Sequence, residues 1–202
     1  MEYKKDQFLY KAGQLFFRWR GKSPLPLVLL VIFFARPDVF SLILGTLFAI
    51  GGETIRYWGM RHIGGSARTR NPERVDEFIV SGPYRYIRNP LYLGNFFTGL
   101  GVSLMSRRWE IVVLYVFLFF LQYIPIIHME EVNLENKYGD TFVKYLNQVP
   151  RWFPRVPSPL AQVNRERIPH LLVLKNERST ILGIAVLVFY FTLLYGYRLN
   201  LF

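Results

Sequence analysis

Followed by hydropathy, the chain divides into apolar blocks separated by polar connections punctuated with proline and glycine. Residues 24–35 (PLPLVLLVIFFA) are apolar throughout, Arg36-Pro37-Asp38 breaks the run, and 39–60 forms a second block, so the pair reads as a tight hairpin. The first block is short against the ~20 helical residues that a hydrocarbon core of ~30 Å demands, and is expected to recruit the preceding turn or to tilt. Further blocks lie at 91–105, at 109–129, which begins on an interfacial Trp109 and runs into Glu130-Glu131, and at 180–199. The pattern predicts an all-α, polytopic integral membrane protein of about five transmembrane helices, with 1–202 as a single membrane domain. Two polar connections interrupt it. The first, 61–88, carries the breakers Gly64-Gly65 and Ser81-Gly82-Pro83, and the second is 132–179, whose last residues, 176–179, are candidate caps for the fifth span.

Charge changes the picture by giving these blocks a direction. A formal charge of +11 would suit a nucleic-acid binder, but the basic residues fall between apolar blocks rather than along one amphipathic face, and no nucleic-acid partner is expected. Of 25 lysines and arginines, only Arg36, Arg107, Arg108 and Arg198 fall on the side opposite the N-terminal tail, with Arg56 inside a span. By the positive-inside rule the N-terminus and both long connections are expected in the cytoplasm, with the C-terminus outside. The tail lacks an early apolar run and a small-residue cleavage site, so no removable signal peptide is expected. The absence of cysteine removes disulfides, thiolate ligands and a cysteine nucleophile.

Within the spans, Glu53 and Arg56 share a helical face at i, i+3 and read as a structural ion pair near the interface. Gly94, Gly99 and Gly101 would let a neighbouring helix or a ligand approach closely. The candidate chemistry lies in two polar clusters on the same expected face, SGPYRYIRNPLYLG (81–94) and HMEEVNLENKYG (128–139). With the third and fourth spans antiparallel across the short Ser106-Arg107-Arg108 turn, Arg88, Asn89 and Tyr92 are expected at the depth of Glu130 and Glu131. The carboxylates read either as a solvated helix end partnering Arg85 and Arg88 or as part of a site. Pro90 tilts the balance toward a site. It excludes Asn89 from the helical region and leaves irregular backbone at membrane depth, which is tolerated only inside protein or along a polar cavity. Aromatic walls with arginines and carboxylates suit an amphiphilic zwitterion such as S-adenosylmethionine.

GPYRYIRNPLYLG followed by EEVNLENKYGDTFVKYLNQVPRWFP resembles the membrane-embedded methyltransferases typified by isoprenylcysteine carboxyl methyltransferase and the related phospholipid methyltransferases. The likeness runs in order from about Ile55 to Pro154, with RYWGMRHIGG similar to the family's preceding helix end. It implies a methyltransferase core at about 39–155, with the span at about 180–199 as an addition. It further implies an S-adenosylmethionine pocket on the cytoplasmic face, and a lipophilic or lipidated acceptor entering from the bilayer. Carried onto this chain, it makes Tyr84, Arg88, Asn89, Pro90, Tyr92, Gly94, Glu130 and Glu131 cofactor contacts. Arg88, Glu131 and Arg151 become the catalytic set, with Arg151 a candidate for holding a substrate carboxylate or phosphate apart from the cofactor. Asn89 stands where eukaryotic members usually carry His, as in many bacterial relatives. It hydrogen-bonds but does not titrate, so a proton-accepting role there does not carry over. The bacterial inner membrane is the expected location.

Other readings stay open at this level. An NADPH-dependent reductase of the membrane sterol type shares similar C-terminal helices, and a non-enzymatic lipid-binding protein would use the same clusters as plain interface. His62, His128 and His170 are the only histidines, too few nitrogen ligands for a membrane di-iron site, and no metal is expected.

Overall fold

A computed structural model describes residues 6–63, 78–156 and 167–199, which form seven α-helices and one 3₁₀ turn. The Gly64-Gly65 breaker and the basic residues Lys4, Lys5, Arg68, Arg70, Arg74 and Arg165 lie outside the described residues. Helix α1 (Gln7–Trp19) begins at Asp6, whose carboxylate accepts the amides of Phe8 and Leu9. Helices α2 (Leu25–Phe34) and α3 (Val39–Ile63) form the hairpin expected from Arg36-Pro37-Asp38. The 3₁₀ turn Gly82–Arg85 precedes α4 (Pro90–Met105), and α5 (Trp109–Tyr138), α6 (Asp140–Gln148) and α7 (His170–Arg198) complete the order.

Each of the five apolar blocks is helical, but their lengths differ from expectation. Among the described residues α3, α5 and α7 are long and apolar enough to cross a membrane, so a count of five spans does not follow from the structure. Helix α2 has 10 residues and α4 has 16. Instead of extending backward, α2 is cut off from the separate amphipathic helix α1 by the turn through Arg20 and Pro24. At its start, α4 is shortened by the irregular backbone before Pro90, and Gly59 in the last turns of α3 faces Leu91 and Pro90. Nor is the fifth block capped at 176–179. Helix α7 begins at His170 and carries the polar residues of that stretch through its interior.

Small residues explain the main helix pair. Helices α3 and α4 make the most extensive contact in the molecule. A Cβ at Gly45 would lie 2.5 Å from the carbonyl oxygen of Gly101, and one at Gly94 would lie 2.5 Å from Arg56 Cγ. The glycines of α4 therefore serve helix packing, except Gly99, which makes room for the ring of Tyr115.

One end of the bundle gathers the turns. The amide of Arg36 donates to Ser106 O (2.9 Å), Arg107 pairs with Asp38 (3.1 Å), and Arg198 donates to Ala35 O (3.1 Å). At the other end Ile168 N donates to Arg61 O (3.0 Å), which ties the start of α7 to the end of α3. Helix α1 lies across α5, where Gly13 sits against the carbonyl of Pro125 and Tyr10 donates to Asn133 Oδ1 (2.8 Å).

Candidate functional site

Pro90 acts on the backbone as its chemistry requires. Asn89 sits at φ −126°, ψ 60°, outside the helical region, and Pro90 opens α4 at a position where a missing amide costs nothing. The preceding turn needs Gly82 at φ +57°, and a side chain there would enter the ring of His62. The segment after α6 is pinned to this turn by two backbone bonds, Arg88 N to Pro150 O (3.0 Å) and Arg155 N to Tyr86 O (3.1 Å). Tyr145 of α6 adds a third, donating its hydroxyl to Tyr84 O (2.8 Å). Burial pushes this phenol well above its usual pKa range, so it remains a donor at any physiological pH.

This pinning brings two arginines from separate parts of the chain onto one carboxylate. Glu131, 4% exposed, accepts from Arg88 Nη1 (2.8 Å) and from Arg151 through both Nε (3.2 Å) and Nη2. Glu130 is the more open of the pair. It accepts the Tyr92 hydroxyl (2.7 Å) and lies 4.0 Å from Arg20, a residue of the α1–α2 turn that is also 3.4 Å from the Tyr92 oxygen. The expectation that Arg88, Asn89 and Tyr92 would stand level with Glu130 and Glu131 is thus realised. Arg88 and Arg151, expected to serve separate ligands, both hold the Glu131 carboxylate.

A cavity of about 810 Å³ runs beside this cluster. Tyr84, Arg88, Asn89, Pro90, Tyr92, Glu130 and Glu131 all line it. Gly94 and Arg151 do not. Gly94 is consumed by the α3–α4 contact and Arg151 stands behind Glu131. The side-chain nitrogen of Asn89 and Nε of Arg88 are buried beside the cavity without a hydrogen-bond partner.

Sequence reasoning missed the far half of this cavity. Its wall includes Glu53, Arg56, Asn95, Thr98 and, from α7, Glu177. Arg56 pairs with Glu53 (3.4 Å) and with Glu177 (2.6 Å) and also donates to Asn95 Oδ1. Asn95 in turn donates to the hydroxyl of Tyr123 (3.2 Å), whose ring meets that of Tyr92 with centroids 4.8 Å apart. Contacts therefore run from Glu177 through Arg56, Asn95 and Tyr123 to Tyr92, all polar except the last, which joins two rings. The i, i+3 spacing of Glu53 and Arg56 is visible in the sequence. Glu177 is not, because it lies among the polar residues 176–179, which are expected to cap the fifth span rather than to sit inside a helix. In the sequence Arg20 is one more basic residue of the tail, and the amphipathic spacing of 7–19 is the signal for its supporting helix.

The fold and the site define a helical membrane protein with a largely apolar cavity between its helices, into which a few charged groups are set. The phospholipid methyltransferase family pattern matches residues 40–141, half of the chain, and the chain belongs to this family. Similar proteins include the nickel-cobalt-cadmium resistance protein NccN of Alcaligenes xylosoxydans xylosoxydans, 29% identical over 50% of this chain and 44% of that one. The cobalt-zinc-cadmium resistance protein CzcN of Cupriavidus metallidurans is 27% identical over 69% of this chain and 55% of its own. The protein-S-isoprenylcysteine O-methyltransferase of Schizosaccharomyces pombe is 28% identical over 45% of this chain and 38% of its own. The chain thus spans about half or less of the length of these relatives. No solved structure matches it.

Proposed function

We propose that this protein transfers a methyl group from S-adenosylmethionine to a lipophilic acceptor at the cytoplasmic face of a bacterial inner membrane. The observation that carries the reading is the meeting of residues 88–92 with Glu130 and Glu131 on one cavity, in a chain of this family. The donor set fits the cofactor. Glu130 supplies a carboxylate for its ammonium group, while the unpartnered Asn89 amide and Arg88 Nε supply buried donors for its carboxylate. The rings of Tyr84 and Tyr92 offer flat apolar surface for adenine. When bound, the cofactor brings a methyl group already activated on a sulfonium.

The chain's own residues then orient the reactants and exclude water. Arg88 and Arg151 fix Glu131, and through it they fix the α5 end that presents Glu130. Orientation of this kind accounts for a large part of the barrier in displacement reactions. A carboxylate acceptor needs no general base, and an amine acceptor does. In this reading the methyltransferase core runs over about 39–155, and α7 is an addition that completes the cavity through Glu177. Arg36, Arg107 and Arg198 lie together at one end of the bundle, and because the lysines and arginines of the tail and the two long connections far outnumber them, the opposite end is the cytoplasmic one in this reading. Isothermal titration of the purified protein with S-adenosylhomocysteine tests the proposal. Saturable one-site binding is expected, and its absence would overturn methyl transfer.

A further inference from the structure

The far wall of the cavity holds more negative charge than its own residues neutralise. Helices α3 and α7 are antiparallel and tied at Arg61–Ile168, and Arg56 and Glu177 lie equally far from their respective ends, ~10 Å along each helix. That register is why they meet. Glu177 is 1% exposed and Glu53 is 13% exposed, yet among the described residues both rely on the single guanidinium of Arg56. Each keeps one oxygen, Glu53 Oε2 and Glu177 Oε1, buried without a hydrogen-bond partner, and both residues line the cavity. Thr98 donates to the other oxygen of Glu53 (3.2 Å). Two carboxylates on one guanidinium leave a net negative charge at membrane depth, where an uncompensated ion is costly. Both residues line the cavity, so whatever compensates the charge is met from there.

We propose that Glu53 and Glu177 form a subsite for a positively charged headgroup, an alkylammonium borne by an amphiphile whose tail lies among the apolar helices. The subsite rests on the proposed methyl transfer only for its biological use. It makes Glu177 a specificity-determining residue that selects cationic over neutral or anionic amphiphiles. Glu53 lies within the family match at 40–141 and α7 beyond it, so this selectivity joins a residue of the shared core to one of the added helix.

The test compares dodecylamine, which is protonated at neutral pH, with dodecanol and dodecanoate. Binding is measured by titration calorimetry on the full chain in maltoside micelles, with empty micelles as reference. The wild-type chain is expected to bind dodecylamine at least about tenfold more tightly than dodecanol, the scale of one charge-assisted hydrogen bond. Glu177→Gln is expected to remove most of that preference while leaving S-adenosylhomocysteine affinity unchanged. Glu53→Gln carries the same expectation should Glu177→Gln fail to fold. Equal wild-type affinity for dodecylamine and dodecanol would overturn the proposal, since it would mean that a proton neutralises the pair. Loss of the preference in Glu130→Gln but not in Glu177→Gln would also overturn it, by placing the cation at the other carboxylates. A preference that depends on Glu177 in a chain that does not bind S-adenosylhomocysteine would uphold the subsite and overturn methyl transfer.

Discussion

Glu130 and Glu131 are adjacent in sequence, but a helix turns neighbours to different surroundings, and their substitutions should separate. Glu131→Gln leaves two guanidiniums facing a neutral amide, and breaking a buried pair in this way costs about 3–5 kcal/mol. A large fall in thermal midpoint is therefore expected for that variant. Glu130→Gln should retain a near-wild-type midpoint and weaken S-adenosylhomocysteine binding by roughly 1–3 kcal/mol. Calorimetry and titration on the two proteins check both statements, and a reversal of the two phenotypes would refute the assignment. The arginines differ as well. Arg151 grips Glu131 with two nitrogens and Arg88 with one, so Arg151→Lys should lower the thermal midpoint more than Arg88→Lys does. These roles were only partly legible beforehand. Motif spacing marked both arginines, but which carboxylate they share depends on the backbone bonds from Arg88 to Pro150 and from Arg155 to Tyr86.

Among the elements, the α3–α4 pair depends on residues without side-chain bulk. Gly101→Val would drive a branched side chain into the Gly45 carbonyl and the Ala49 backbone, and overpacking of this kind costs about 1–3 kcal/mol or more. Gly51→Val, at an open position on the same helix as Gly45, is the control expected to be much milder in a detergent-melting assay. The start of α3 offers a pH-dependent counterpart. Asp38 Oδ1 accepts the Ser41 amide (2.7 Å), Ser41 Oγ accepts the Asp38 amide (3.0 Å), and Arg107 stands 3.1 Å away. The Ser41 amide, with Arg107, holds the Asp38 carboxyl below its usual pKa range. A lowered folded-state pKa means that the cap stabilises the protein above the ordinary carboxylate range and loses that contribution as pH falls through the lowered value. Asp38→Ala should cost about 0.5–2 kcal/mol at neutral pH, and the gap to wild type should narrow in acid. Thermal melts at neutral and acidic pH measure it.

For the molecule as a whole, the testable quantity is orientation. The chain has no cysteine, so single cysteines report without background. Lys144→Cys, on exposed α6, is expected to react with an impermeant maleimide only when the cytoplasmic face is opened. Glu110→Cys, at the exposed start of α5, should react from outside intact cells. The opposite pattern would invert the proposed topology.

Hydropathy and charge by themselves determined that the chain is helical, that its blocks lie at these positions, and that Pro90 interrupts regular structure beside the carboxylates. These properties are local, since burial preference, proline sterics and charge asymmetry act through each residue and its immediate neighbours. The tertiary structure decided what depends on distances between remote segments. It split the first block from an amphipathic α1, carried α7 back to His170, and set Arg20 near Glu130. It also placed Glu177 on Arg56 across 121 positions of sequence. A polar residue in a polar stretch looks solvated until the fold buries it, and only the antiparallel register of α3 and α7 supplies the partner that makes burial of Glu177 possible.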